Sequence, residues 1–138
     1  MGTFRPSSFF STIALKALML LGFVLVSDLV AAQIQLRGTA TATNTAVGST
    51  ITIGKPAGLA VGDLMIANIS NYLNATNVAA SGPTGWTVRS SQAIGNNRGF
   101  ATVLSKVATA TDVSATNFTF NITTNSENAS GTIAAFSG

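Results

Sequence analysis

Lys55–Ser70 reads KPAGLAVGDLMIANIS, and the fold class turns on it. The stretch is a Pro/Gly turn, a Gly-Asp corner and then a strand. Pro56 fixes its own φ and biases Lys55 towards extended backbone, while Gly58 and Gly62 tolerate φ values that other residues avoid. From Leu64 onward the chain is apolar at both parities. Leu64 and Ile66 fall on one pleat face, and Met65, Ala67 and Ile69 on the other. An apolar run bounded by turn signals is the pattern of a central strand covered on both faces.

Working outward, Ser49–Ile53 (STITI) alternates, with Ile51 and Ile53 inward and the threonines outward. Before it, Gln33–Leu36 begins a strand, and Thr39–Thr45 (TATATNT) reads as an edge strand or linker with small side chains. That threonine row is short and does not repeat at a fixed period, so it is not read as an ice-binding face. After the central strand, Asn71–Gly85 (NYLNATNVAASGPTG) reads as a long polar loop with Tyr72 its only aromatic residue. A loop of that length in a small domain is usually functional. Trp86 then starts a strand running to about Ser90, Gly95-Asn96-Asn97 is a hairpin turn, and Arg98–Val107 is the next strand. Ala108–Thr116 is a polar connection with Asp112 a turn former. Asn117–Thr123 (NFTFNIT) alternates most cleanly, with Phe118, Phe120 and Ile122 inward. Gly131–Phe136 (GTIAAF) reads as a second central strand, apolar on both faces. Short strands at this spacing predict an all-β fold, an antiparallel β-sandwich of jelly-roll-like form.

Composition agrees with that class and excludes much chemistry. Of the 138 residues only 8% are charged, against about a quarter in ordinary soluble chains. Thr, Val and Ile are abundant, as exposed β-structure favours. The chain holds no cysteine and no histidine, which removes cysteine and histidine zinc sites, thiol nucleophiles and the Ser–His–Asp triad. Beyond residue 32 the acids are Asp63, Asp112 and Glu127, each in or beside a predicted turn, too few and too scattered for a glycosidase pair or a calcium cage. No catalytic residue, metal ligand or cofactor is expected. The bases there, Arg37, Lys55, Arg89, Arg98 and Lys106, form no cluster, so no nucleic-acid partner is expected.

Residues 1–32 read as a helical secretory signal peptide. Arg5 and Lys16 supply its basic region, Ala17–Val26 its apolar core, and Val30-Ala31-Ala32 a cleavage site before Gln33. An uncleaved anchor is the alternative, although the apolar core is about half the span a membrane helix needs. The expected organisation is therefore a signal peptide over 1–32 and one β-sandwich domain over 33–138. The product is exported, to the extracellular space or cell surface, and meets the membrane only through the transient signal peptide. Asn-x-Ser/Thr sequons stand at Asn68, Asn74, Asn117, Asn121 and Asn128, with Asn68 expected in a buried strand.

Taken in order, K-P-A-G-L-A-V-G-D-L-M-I-A, P-T-G-W, R-G-F-A-T-V-L-S-K-V-A, N-F-T-F and G-T-I-A-A-F-S-G resemble a β-sandwich module of bacterial exported surface proteins and phage tail-fibre-type virion proteins. The resemblance rests on Pro56, Gly58, Gly62, Asp63, Leu64, Pro83, Gly85, Trp86, Lys106, Val107, Ala108, Phe118, Phe120 and Ala134 to Gly138. It covers most of residues 47–138. It implies an extracellular, non-catalytic module with no defined ligand. The family's pattern continues past its A-x-S-G strand with further strands, so the resemblance leaves open whether the domain is complete or truncated at its C-terminal end.

Three functions follow as expectations. The first is a structural or adhesive surface module. The second is a carbohydrate-binding module with Tyr72, Asn74 and Trp86 as its contacts. The third is a subunit of an extracellular filament, completed by a strand from a neighbour in a groove beside Gly131–Phe136. Partners would be glycans or other surface-protein subunits. Trp86 has a competing structural role, as a core anchor pinned by the turn before it.

Overall fold

The computed structural model describes residues 33–45, 48–72, 80–95, 98–126 and 128–137. The expected helical signal peptide (1–32) and Asn74 lie outside the described residues. In chain order the elements are β1 (Gln35–Asn44), β2 (Gly48–Gly54), β3 (Leu64–Tyr72), β4 (Thr87–Ile94), β5 (Gly99–Val107), α1 (Ala110–Ser114), β6 (Asn117–Ser126) and β7 (Asn128–Ser137). Five strands make one sheet in the order β1-β7-β3-β5-β4, and β2 pairs with β6 in a second. Every pairing is antiparallel. The domain is an all-β sandwich.

The core lies between the two sheets. From the large sheet come Met65, Ala67 and Ile69 of β3, Leu104 of β5, and Ile133 and Ala135 of β7. From the small sheet come Ile51 and Ile53 of β2 and Phe118, Phe120 and Ile122 of β6, all of them buried. Burying each large apolar side chain is worth about 1.5–3 kcal/mol, so this alternation holds the layers together. A side chain at Gly131 would place its Cβ 2.6 Å from Ile53 Cδ1, so glycine there lets β2 settle against β7.

The 55–63 turn behaves as its sequence demands. Gly58 and Gly62 have φ of 71° and 92°. The buried Asp63 carboxylate accepts the Ala60 N–H at 2.8 Å and pairs with Arg37 Nε at 3.4 Å. The Gly62 N–H donates to Ala108 C=O, and the Ala108 N–H to Asp63 C=O, tying the corner to the end of β5.

Four expectations need correction. The central strands β3 and β7 are covered on one face only: Leu64 and Asn68 are exposed, and Ile66, Ser70, Ala134 and Phe136 are half-buried. The small sheet covers one side of the large one, and among the described residues no strand layer covers the other. Asn68 is accordingly exposed rather than buried. Asn71 and Tyr72 do not open a loop, because β3 pairs through Tyr72 with Gly99 of β5 and Asn128 of β7. The 108–116 connection contains α1, capped by Thr109 and Asp112: Asp112 Oδ2 accepts from Thr109 N–H and Oγ1–H, and Asp112 N–H donates to Thr109 Oγ1. The Thr109-x-x-Asp112 spacing is a capping-box signal present in the sequence.

Candidate functional site

Side chains alternate along a strand, so the register decides what the uncovered side of the large sheet presents. One row is Thr43 of β1, Ser130 of β7, Ser70 of β3 and Ala101 of β5. The next is Thr41, Thr132, Asn68 and Val103. At one end Tyr72 stands between Asn128 and Gly99. At the other, Leu36, Phe136, Leu64 and Val107 line up across four strands. The face therefore has a hydroxyl–amide half and an apolar half. Leu36, Leu64 and Val107 are 58%, 41% and 60% exposed.

Two shallow depressions mark the polar half. One, of about 400 Å³, is bordered by Thr43, Asn44, Ser70, Tyr72, Ile94 and Asn128, among others. The second, of about 330 Å³, is bordered by Thr41, Asn68 and Thr132 and shares Thr43, Ser70 and Ser130 with the first. Among the described residues no charged side chain borders either. The nearest basic group on this face along β4, Arg89, donates from Nε to Ser105 Oγ at 2.6 Å. Gly99 shapes the Tyr72 end. A Cβ there would lie 2.7 Å from the Asn71 carbonyl oxygen and 2.9 Å from Ile94 Cγ1. Its absence lets the Ile94 side chain lie beside Tyr72, a residue 39% exposed.

The two aromatic candidates are not brought together. Tyr72 ends β3, whereas Trp86 precedes Thr87, which pairs with Ser105 opposite Ile66. Six residues of strand separate those positions, about 20 Å. Trp86 is half-buried and packs edge-on against Phe118 and Phe120, with ring centroids 5.8 Å and 5.1 Å away. Its Nε1 is buried without a hydrogen-bond partner among the described residues. That packing is what the competing role of a core anchor between the layers calls for, and it weighs against a ligand contact. Asn71, adjacent to Tyr72, faces the core, and its Nδ2 donates to the Ile122 carbonyl at 3.1 Å.

A second polar cluster is structural. Lys106 Nζ sits 2.7 Å from Asp112 Oδ1, with both side chains mostly buried, and also donates to Thr84 C=O at 3.0 Å. Burial works against the Asp112 carboxylate. Hydrogen bonds from Lys106 and Thr109, with the Lys106 charge, outweigh it and hold Asp112 below its ordinary value of 3.8. These bonds pin α1 and the 83–86 turn to β5. Among the described residues no group of three His, Cys, Asp or Glu side chains gathers where a metal ion would sit.

The trough was not legible from sequence, because its walls come from β1, β3 and β7, far apart in the chain. The alternation of small polar residues in Thr39–Asn44 was the one available signal. No family model, curated protein or solved structure matches the chain.

Proposed function

We propose that the chain is a non-catalytic structural or adhesive β-sandwich module of an exported bacterial protein, acting at the cell surface or outside the cell. Its contact surface is the open face of the large sheet. The observation that carries this reading is the apolar row Leu36–Phe136–Leu64–Val107, left in solvent on that face. Contiguous exposed apolar side chains rimmed by polar ones mark surfaces that meet another macromolecule. The scarcity of charge elsewhere, and the engagement of Asp63 and Asp112 in turn and ion-pair roles, support a binding task over catalysis.

An open groove beside β7 would favour the filament alternative. Both edges of β7 are occupied, by β1 and β3, so that form of strand donation has no vacancy here.

Beads coated with the full-length chain test the reading against bacterial cells and against one another. Adhesion is expected, and Leu36→Glu with Val107→Glu should abolish it while far-UV circular dichroism stays unchanged. Beads that stick to nothing, or that stick equally well with both glutamates in place, would defeat it.

A further inference from the structure

We propose that the outer edge of β4 pairs with itself: β4 of a second copy of this chain adds to it antiparallel, across a two-fold axis at Gln92. Two five-stranded sheets then join into one of ten strands. This surface is the edge of the large sheet, separate from the open face read above as the contact surface, and neither inference depends on the other.

The edges of the two sheets are unequally guarded. An edge strand presents a row of unpaired backbone N–H and C=O groups, and folded chains blunt it with cover, proline, lysine or bulges. The β1 edge has cover. Arg37 pairs with Asp63, a Cβ at Gly38 would meet the Ala57 carbonyl oxygen at 2.5 Å, and Asn44 Nδ2 donates to the Thr50 carbonyl at 3.4 Å. The 55–63 turn and β2 thus lie along it. The edge of β6 is bridged by Ser81 at Asn121, with backbone bonds made in both directions. Among the described residues nothing comparable protects β4. It stands last in its sheet, and all of its eight residues but Ala93 are exposed. It holds no proline and no lysine. Its one charge, Arg89, is tied to Ser105 Oγ and sits in the bulge between Val88 and Ser90. Ser90–Ile94 (SSQAI) is left as a regular edge whose own side chains carry no charge.

A second β4 suits that edge because the strand is its own complement. Opposed residues of an antiparallel pair share a face. Ser90, Gln92 and Ile94 pair with Val103, Ala101 and Gly99 and lie on the open face, whereas Ser91 and Ala93 lie on the other. An axis at Gln92 sets Gln92 against its own copy, Ser90 against Ile94 and Ser91 against Ala93, so every pair matches. An axis at Ser91 would draw the bulge into the pair, and one at Ala93 the turn at Gly95; Gln92 uses the whole regular stretch. A carboxamide both donates and accepts, so two of them opposed are complementary. Ile94, 41% exposed, gains a diagonal contact with the Gln92 stem of the other copy. The contact is isologous and closes at two copies, and the covered β1 edge offers no site for a third.

The experiment uses the full-length chain, which has no cysteine of its own. Gln92→Cys is oxidised with copper–phenanthroline and run on a non-reducing gel. Opposed Cα atoms of an antiparallel pair stand about 4.5–5.5 Å apart, within the span of a disulfide, so a covalent dimer is expected. Ser90→Cys, on the same strand and face, should not link to itself, because four residues of strand, about 13 Å, separate it from its copy. In sedimentation the native chain should show twice the mass of one chain. Gln92→Lys and Gln92→Glu should each lose the dimer, since like charges then face each other, and mixing the two should restore it. Gln92 and Ser90 are exposed, and circular dichroism checks that each variant is folded. A monomeric native chain, linking at Ser90→Cys as fast as at Gln92→Cys, or a Lys–Glu mixture that stays monomeric overturns the site. Leu36→Glu with Val107→Glu should leave the Gln92→Cys link intact. Loss of that link would move the pairing to the open face and overturn this inference alone.

Discussion

The two faces of β3 differ far more in environment than in composition. On one face Met65, Ala67 and Ile69 are sealed under the small sheet, and Asn71 bonds across the layers to Ile122. On the other, Leu64, Ile66, Asn68, Ser70 and Tyr72 have no strand layer over them among the described residues. Leu64 and Ile66 are as apolar as Met65 and Ile69, so hydrophobicity alone does not decide which side is core. What decides it is where β2 and β6 find their own alternating rows, Ile51 and Ile53 against Phe118, Phe120 and Ile122. The inner face is held by packing, where each lost methylene is felt. The outer face is free to be spent on contact with something else.

The comparison breaks most sharply at neighbouring residues. Ile69→Asp puts an unpaired charge in the core, at a cost comparable with a domain's whole stability of about 5–15 kcal/mol. Circular dichroism should report an unfolded chain. Ser70→Asp, one residue on and on the open face, should leave the urea midpoint almost unmoved. Equal effects at the two positions would mean that the outer face is covered.

Trp86→Ala comes next. Removing a ring packed on Phe118 and Phe120 should cost about 3 kcal/mol, the low end for aromatic truncation because Trp86 is half-buried. Urea unfolding measures it, and a loss under about 1 kcal/mol would return Trp86 to the ligand-contact role.

Asp112→Ala should cost about 2 kcal/mol, because it strands the mostly buried Lys106 ammonium and uncaps α1. Lys106→Met combined with Asp112→Leu should recover most of that loss. The sign with pH follows from the lowered folded pKa. The unfolded chain binds this proton first, so the Asp112 contribution is complete above about 3.8 and is lost as pH falls through the folded value. Acid titration of the wild type and Asp112→Ala should therefore converge below that range and separate above it.

Strand identity was legible wherever one parity was polar. NFTFNIT and STITI each announce a face, and both lie as their alternation requires. LMIANIS and GTIAAF announce none, because apolar residues occur at both parities. The second cover expected for those strands belongs to a layer that the described residues do not supply on that side. The end of β3 was hidden for a different reason. Asn-Tyr-Leu-Asn is polar enough to read as loop, but Asn71 is stabilised by Ile122 and Tyr72 by backbone pairing to Gly99 and Asn128, all distant in sequence. The trough depends on those same long-range registers.

Tyr72→Ala should cost less stability than Trp86→Ala. Tyr72 closes a strand at the sheet's end, and its ring contributes little to the buried core. Tyr72 is 39% exposed, so the loss should be about 1 kcal/mol, the centre of the range for single substitutions, and urea unfolding measures it. Trp86→Ala, which removes a ring packed between the layers, should weaken the fold further. A stability loss at Tyr72 as large as that at Trp86 would make both rings core residues and erase the difference between the two faces of the large sheet at that end.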